Sequence, residues 1–219
     1  MHLILPNTPF DVENLKPGER LYFLAGPISG GGDWHKKAIQ LLVKNDPNCY
    51  IACPAYTIEK SSGHELFSFS IDPNGNYRRL PPFPDQTNWE RYFMKHATRL
   101  GALLFWLGNE DKNNPRDPKT GPYARDTRGE IARWSVLGAQ NFGAGKHDES
   151  NMYIGADPEF PGLKQIQKNL DADYRDYGNL DKDNYVYVTI FNDIQSIING
   201  AVQKAKKMNP QPLFNESNC

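Results

Sequence analysis

Apolar residues along this chain fall into short runs of two kinds, divided by polar stretches rich in Gly, Pro, Asn and Asp. Runs without alternation, at 22–25, 49–53 and 102–107, read as strands covered on both faces. Runs with helical spacing lie between them. Asp33 opens a segment to about Lys44 in which Trp34, Ala38, Leu41 and Leu42 share a face, and Asp46-Pro47-Asn48 ends it. Thr87 or Asn88 opens a second, to about Arg99, with Trp89, Phe93, Ala97 and Leu100 aligned. A third covers 127–140, where Ile131, Trp134, Val136 and Leu137 are partly periodic. Beyond it the pattern predicts a strand at 152–154, a helix at 160–170, a strand at 185–190 and a closing helix at 193–206.

This alternation predicts an open, doubly wound α/β domain over 20–207 with helical, right-handed crossovers. Residues 1–20 read as an N-terminal arm able to add an edge strand, and 208–219 as a flexible tail. Between 55 and 84 neither period persists, which marks a long loop insertion of the kind that serves as a lid or stays disordered. In such sheets ligands sit outside the carboxyl ends of the strands, where the strand order reverses. The exits of the strands at 22–25 and 102–107 are the expected flanks of that crevice.

Composition narrows the partner. The 219 residues carry 25 Lys plus Arg against 26 Asp plus Glu, a formal net charge of −1. That balance provides no electrostatic footprint for a nucleic acid polymer or an anionic membrane, and favours a small-molecule partner. No apolar run approaches a membrane span and no signal peptide is evident, so a cytoplasmic location is expected. The three cysteines have no Cys-x-x-Cys spacing, and Cys49 and Cys53 read as small apolar residues of a buried strand. No metal-ligand spacing appears, and no cofactor is expected.

Candidate chemistry concentrates at two places. The stretch Ala25-Gly26-Pro27-Ile28-Ser29-Gly30-Gly31-Gly32-Asp33 follows the first strand and opens a helix. Its glycines either let backbone N–H groups approach an anion or a sugar hydroxyl, or only make a tight turn. Asp33 either reaches sugar hydroxyls or caps the helix. The second place is Asp126-Thr127-Arg128-Gly129-Glu130, at the start of the helix that follows the third strand and so facing the same opening. Glu130 is either a structural first-turn acid or a catalytic one. The lone His64 of the long loop reads as solvated. Three glycines in a row are not Gly-x-Gly-x-x-Gly, and no acid closes the following strand for a ribose diol, so a Rossmann dinucleotide site and an NAD-type glycohydrolase are weakly supported.

Several short motifs in order resemble one family. Tyr-Phe-Leu-Ala-Gly-Pro at 22–27, Trp34 with Ala38, Gln86-x-x-Trp89-Glu90, Leu-Phe-Trp at 104–106, Thr127-Arg128-x-Glu130 and Gly-Ala-Asp-Pro at 155–158 are similar to the nucleoside 2-deoxyribosyltransferase superfamily, in its divergent 2-deoxyribosyltransferase-like branch. The resemblance implies a flavodoxin-like five-stranded parallel sheet and a homo-oligomer, in which a neighbouring subunit completes each site. It also implies cleavage of the N-glycosidic bond of a nucleoside or nucleotide through a covalent glycosyl-glutamate, with transfer to a second base or to water. Carried over by position, the nucleophile falls on Glu130 and the tyrosine that orients it on Tyr22. A carboxylate beside an oxocarbenium-like centre can trap it covalently, as in retaining glycosidases.

The chain departs from the pattern at the end of the third strand, where Gly108-Asn109 stands in place of an aspartate, leaving Asp126 as the substitute acid or a simple helix cap. Substrate contacts are expected from Gly26, Pro27, Gly30, Asp33, Gln86, Asn109 and Arg128, the last toward a phosphate. Trp89 and Trp106 either stack a nucleobase or pack the core. The rival reading, favoured by the missing aspartate, is a non-catalytic nucleotide-binding module.

Overall fold

A computed structural model describes residues 1–55, 81–147, 150–178 and 188–208. Most of the 55–84 loop insertion and of the 208–219 tail therefore lies outside the described residues. The elements are β1 (His2–Ile4), β2 (Leu21–Ala25), α1 (Trp34–Asn45), β3 (Tyr50–Ala52), α2 (Gln86–Leu100), β4 (Gly101–Leu107), α3 (Arg125–Gly143), β5 (Met152–Ala156), α4 (Leu163–Tyr177), β6 (Ile190–Phe191) and α5 (Ile194–Lys207), with short 3₁₀ turns at Val12–Asn14 and Pro118–Thr120.

All strands pair parallel, in the order β1-β3-β2-β4-β5-β6. Removing β1 leaves the flavodoxin-like order, so the fold is the expected one with a sixth strand. That strand comes from the N-terminal arm: His2–Ile4 lies in register with Tyr50–Ala52, and Leu3, Ile4, Phe10 and Val12 are buried. The N-terminal arm thus adds an edge strand, as expected, and contributes to the core as well.

The helices cover both faces. Trp34, Ala38, Ile39 and Leu42 of α1 pack with Ile194, Ile197, Ile198 and Ala201 of α5 on one face, against Tyr22, Leu24, Leu104 and Trp106. Trp89 and Phe93 of α2, Ile131 of α3, and Ile166 and Leu170 of α4 pack on the other, against Leu21, Phe23, Leu103 and Phe105. The two clusters divide each central strand by residue parity, as the pleat requires. Cys49 and Cys53 are buried beside β3, as expected of small apolar residues.

Two helices start on side-chain caps. Asp85, rather than Thr87 or Asn88, caps α2 by accepting from the Asn88 N–H at 2.8 Å. Asp193 caps α5 the same way through the Ser196 N–H. The chain passes from β2 out to β3 and returns to β4 on the other flank of β2, which puts the reversal of strand order at the carboxyl ends of β2 and β4.

Tyr22 illustrates what parity decides. Its side chain is fully buried on the α1/α5 face, and its hydroxyl donates to Asp46 Oδ2 at 2.9 Å, an oxygen that also lies 3.5 Å from the Arg20 guanidinium. Burial first, then the Asp46 charge, keeps the phenol far above its ordinary range, so it serves only as a donor. Tyr22→Phe is expected to cost about 1–3 kcal/mol, because Asp46 is left buried with an acceptor unfilled. Urea denaturation of the two proteins measures it.

Candidate active site

A cavity of about 430 Å³ opens where the strand order reverses. Its wall is built from the exit of β2 (Phe23, Ala25, Gly26, Pro27), Pro54 after β3, Gln86 and Glu90 of α2, Arg116 and Thr120 of the β4–α3 loop, and Asp126, Thr127 and Glu130 of α3. This volume suits a ligand of nucleoside size.

Three carboxylic acids reach it. Glu130 stands in the second turn of α3 and makes no hydrogen bond or ion pair among the described residues. Burial, then the charges of Glu90 and Asp126, push its carboxyl up to about 7. Glu90 is also raised by burial; the Gln86 amide, one turn earlier, donates to its Oε1 at 2.8 Å and works the other way, while Asp126 and Asp85 add to the rise. Asp126 is exposed and held at 3.1 Å by the Arg125 Nε. Burial raises both carboxyls, and the Glu90 charge adds to the rise at Glu130, an electrostatic setting in which one acid can hold a proton while the other is ionised.

The α3 amino terminus borders the same space. Ala124 takes the left-handed conformation, with φ of 55°, and no side chain caps the helix. For a residue with a Cβ this conformation costs about 1–2 kcal/mol. The uncapped first turn brings the positive end of a 19-residue helix to the cavity wall.

Glycines in the corner after β2 have a purpose other than the expected one. Gly26 fits because a Cβ there would stand 2.5 Å from the Trp106 carbonyl and 2.6 Å from the Trp34 ring. Gly30, at φ of +72°, accepts from the Asp111 N–H at 2.7 Å, and a Cβ on it would lie 2.9 Å from the Arg116 N. The corner is therefore covered by the loop that leaves β4, whose ends are tied by the Tyr123 hydroxyl on the Gly108 carbonyl at 2.9 Å. Gly30 receives that loop and is absent from the cavity wall, whereas Gly26 and Pro27 are in it.

The other expected residues separate cleanly. Glu130, Asp126, Gln86, Gly26 and Pro27 come together at the cavity. Tyr22 does not: it lies on the opposite face of the sheet, and Phe23 takes the place expected of it. Trp89 is fully buried, its ring centroid 5.9 Å from that of Phe23 and 5.0 Å from that of Phe93, so it is core rather than a stacking platform. Trp106 faces α5, beside Ile197 across Gly155, and is core as well. Asp33 occupies the N-cap position of α1 but makes no capping bond and is exposed away from the cavity. Asn109 is exposed, its N–H donating to Asp157 Oδ2 at 2.6 Å. Arg128 turns outward, donating to the Pro161 carbonyl at 2.6 Å with its guanidinium 4.6 Å over the Phe160 ring. Neither an α2 acid nor the loop arginine Arg116 was expected in the site. The Gln86-x-x-x-Glu90 spacing, which puts an amide and a carboxylate on one helix face, was the available signal for the former.

No family model, curated protein or solved structure matches this chain. The functional reading accordingly rests on the cavity itself. Among the described residues no helix is long and apolar enough to cross a membrane, and no group of three or more His, Cys, Asp and Glu side chains is gathered to hold a metal ion.

Proposed function

We propose that this chain cleaves the N-glycosidic bond of a nucleoside or nucleotide, with Glu130 as nucleophile. The observation that carries the reading is a carboxyl displaced to about 7, unpaired among the described residues and set beside a second acid in a nucleoside-sized cavity at the strand-order reversal. The motif resemblance supports it by pointing to the same glutamate.

The productive state is Glu130 ionised with one proton on Glu90. A Glu130 carboxylate oxygen attacks the anomeric carbon as the C–N bond breaks. The bonding pair leaves with the base nitrogen, and Glu90 donates its proton to the departing base. Water or a second base then attacks the same carbon and releases Glu130, with Glu90 taking back a proton from that acceptor. Gln86 holds Glu90 in place, and Pro54 adds an apolar wall.

Chromatographic detection of free nucleobase from deoxynucleosides and their 5′-monophosphates, with and without an added base, tests the reaction. Release is expected to rise as the pair loses the first of its two protons and to fall as pH rises through about 7, where the last one leaves. The same carboxyl sets a stability trend of known sign. Its folded value lies above its ordinary 4.5, so the folded state binds more protons between the two and loses stability as pH rises through about 7. Binding that raises the melting temperature without release of base from any substrate would replace the enzyme by a nucleotide-binding module.

A further inference from the structure

The cavity wall also holds a cation whose side-chain contacts among the described residues are long. Arg116 hangs over the glycine corner from the β4–α3 loop, its side chain 17 % exposed. A guanidinium carries five N–H donors. One, on Nη1, makes a long 3.4 Å contact to Thr120 Oγ1. The Nε is buried without a hydrogen bond among the described residues and is ion-paired only at 3.5 Å, with Glu110 Oε1, an oxygen that already accepts from the Arg116 backbone N–H at 3.1 Å. The other cation of the wall, Arg125, is different: it is 61 % exposed and turned onto Asp126. A mostly buried guanidinium in a cavity wall, only weakly engaged by the described residues, can offer donors to an acceptor that the ligand brings.

We propose that Arg116 is a specificity-determining residue that selects a substrate bearing an anionic oxygen group, a phosphate or a carboxylate. The proposal rests on the glycosidic reading above, since Glu130 then fixes where the anomeric carbon lies. An anion beside Glu90 and Glu130 would be repelled, so the charged substituent belongs on the part of the sugar remote from the scissile bond, under Arg116 and Thr120. The uncapped first turn of α3 adds positive potential for it. Planar, bidentate recognition is what arginine offers and lysine does not.

The test measures binding by calorimetry for the four deoxynucleosides, each beside its 5′-monophosphate and its 5′-carboxylate analogue. The parent protein is expected to bind at least one anionic member roughly tenfold or more tightly than its neutral counterpart, the size of a charge-assisted hydrogen bond. The phosphate and carboxylate arms separate the two sources of the anion. Arg116→Gln is expected to bring the ratio near one, and Arg116→Lys to leave it intermediate; the lysine variant carries the test if the glutamine variant does not fold. Equal binding of neutral and anionic members by the parent, or a preference that survives Arg116→Gln, overturns the proposal. Because the readout is binding, base release from Glu130 without any anion preference refutes Arg116 alone, whereas anion preference without base release refutes the glycosidic reading and leaves the selectivity standing.

Discussion

Glu130→Gln is expected to lower base release by roughly 10³-fold or more, the scale on which removal of a covalent nucleophile acts. The substitution keeps shape and volume while removing the group that bonds to the anomeric carbon. Its effect on the fold should be opposite in sign to its effect on rate. At neutral and higher pH the parent places a desolvated negative charge beside Glu90, and the amide does not, so the variant should melt at the same temperature or higher and lose the stability trend between pH 4.5 and about 7. A large rate loss in a protein of undiminished stability distinguishes a chemical role for Glu130 from a structural one. Glu90→Gln should give a smaller loss and remove the falling limb of the pH profile.

Trp89→Ala is expected to destabilise the protein by about 3–5 kcal/mol, the range for truncating a buried tryptophan. That is a large fraction of the roughly 5–15 kcal/mol by which domains are stable. Trp89 is wholly buried between Phe23 and Phe93, and its Nε1 finds no partner among the described residues. The unpaired N–H gives a second, sharper expectation. Trp89→Phe leaves a smaller ring but removes a buried donor that costs stability, so it should stay within about 1 kcal/mol of the parent. Urea denaturation reads both. A base-stacking tryptophan would behave differently, with alanine raising KM while leaving the midpoint of unfolding nearly unchanged.

The same residues show what a sequence of this kind discloses. The central strands were legible because buried parallel strands are continuous apolar runs, and the helices because one face repeats at helical spacing. The crevice was legible too, since it follows from strand order alone, and with it Glu130, Asp126, Gly26 and Pro27. The orientation of Tyr22 was not. A strand apolar on both faces carries no alternation, so nothing in Leu21–Ala25 tells which parity faces α3, and a one-residue difference put Phe23 rather than Tyr22 at the cavity. The edge strands were legible only in outline: the N-terminal arm supplies one, as expected, and the strand expected at 185–190 falls partly outside the described residues, with β6 at Ile190–Phe191.

Contacts between loops were the least legible. Gly30 reads from sequence as a residue that opens backbone to a ligand, and in the fold it opens backbone to the loop at Asp111 and Arg116. Sequence spacing cannot reveal which loop crosses which, because the partners are some eighty residues apart and neither is in a periodic element. Arg116 enters the cavity through that crossing, which is why an arginine within a polar excursion gave no sign of being part of a site. Arg128 shows the converse: it is two residues from Glu130 and yet on another side of the helix, since neighbours so spaced do not share a face.

The central claim is that Glu130 bonds to the sugar, and intact-protein mass spectrometry on a rapidly quenched mixture of the protein with deoxynucleosides and their 5′-monophosphates tests it most directly. A mass increase of one deoxyribosyl unit, or its phosphorylated form, is expected, placed on Glu130 by peptide mapping and removed by an added base or water. Free base released with no adduct under any quench, or an adduct that persists in Glu130→Gln, would contradict it.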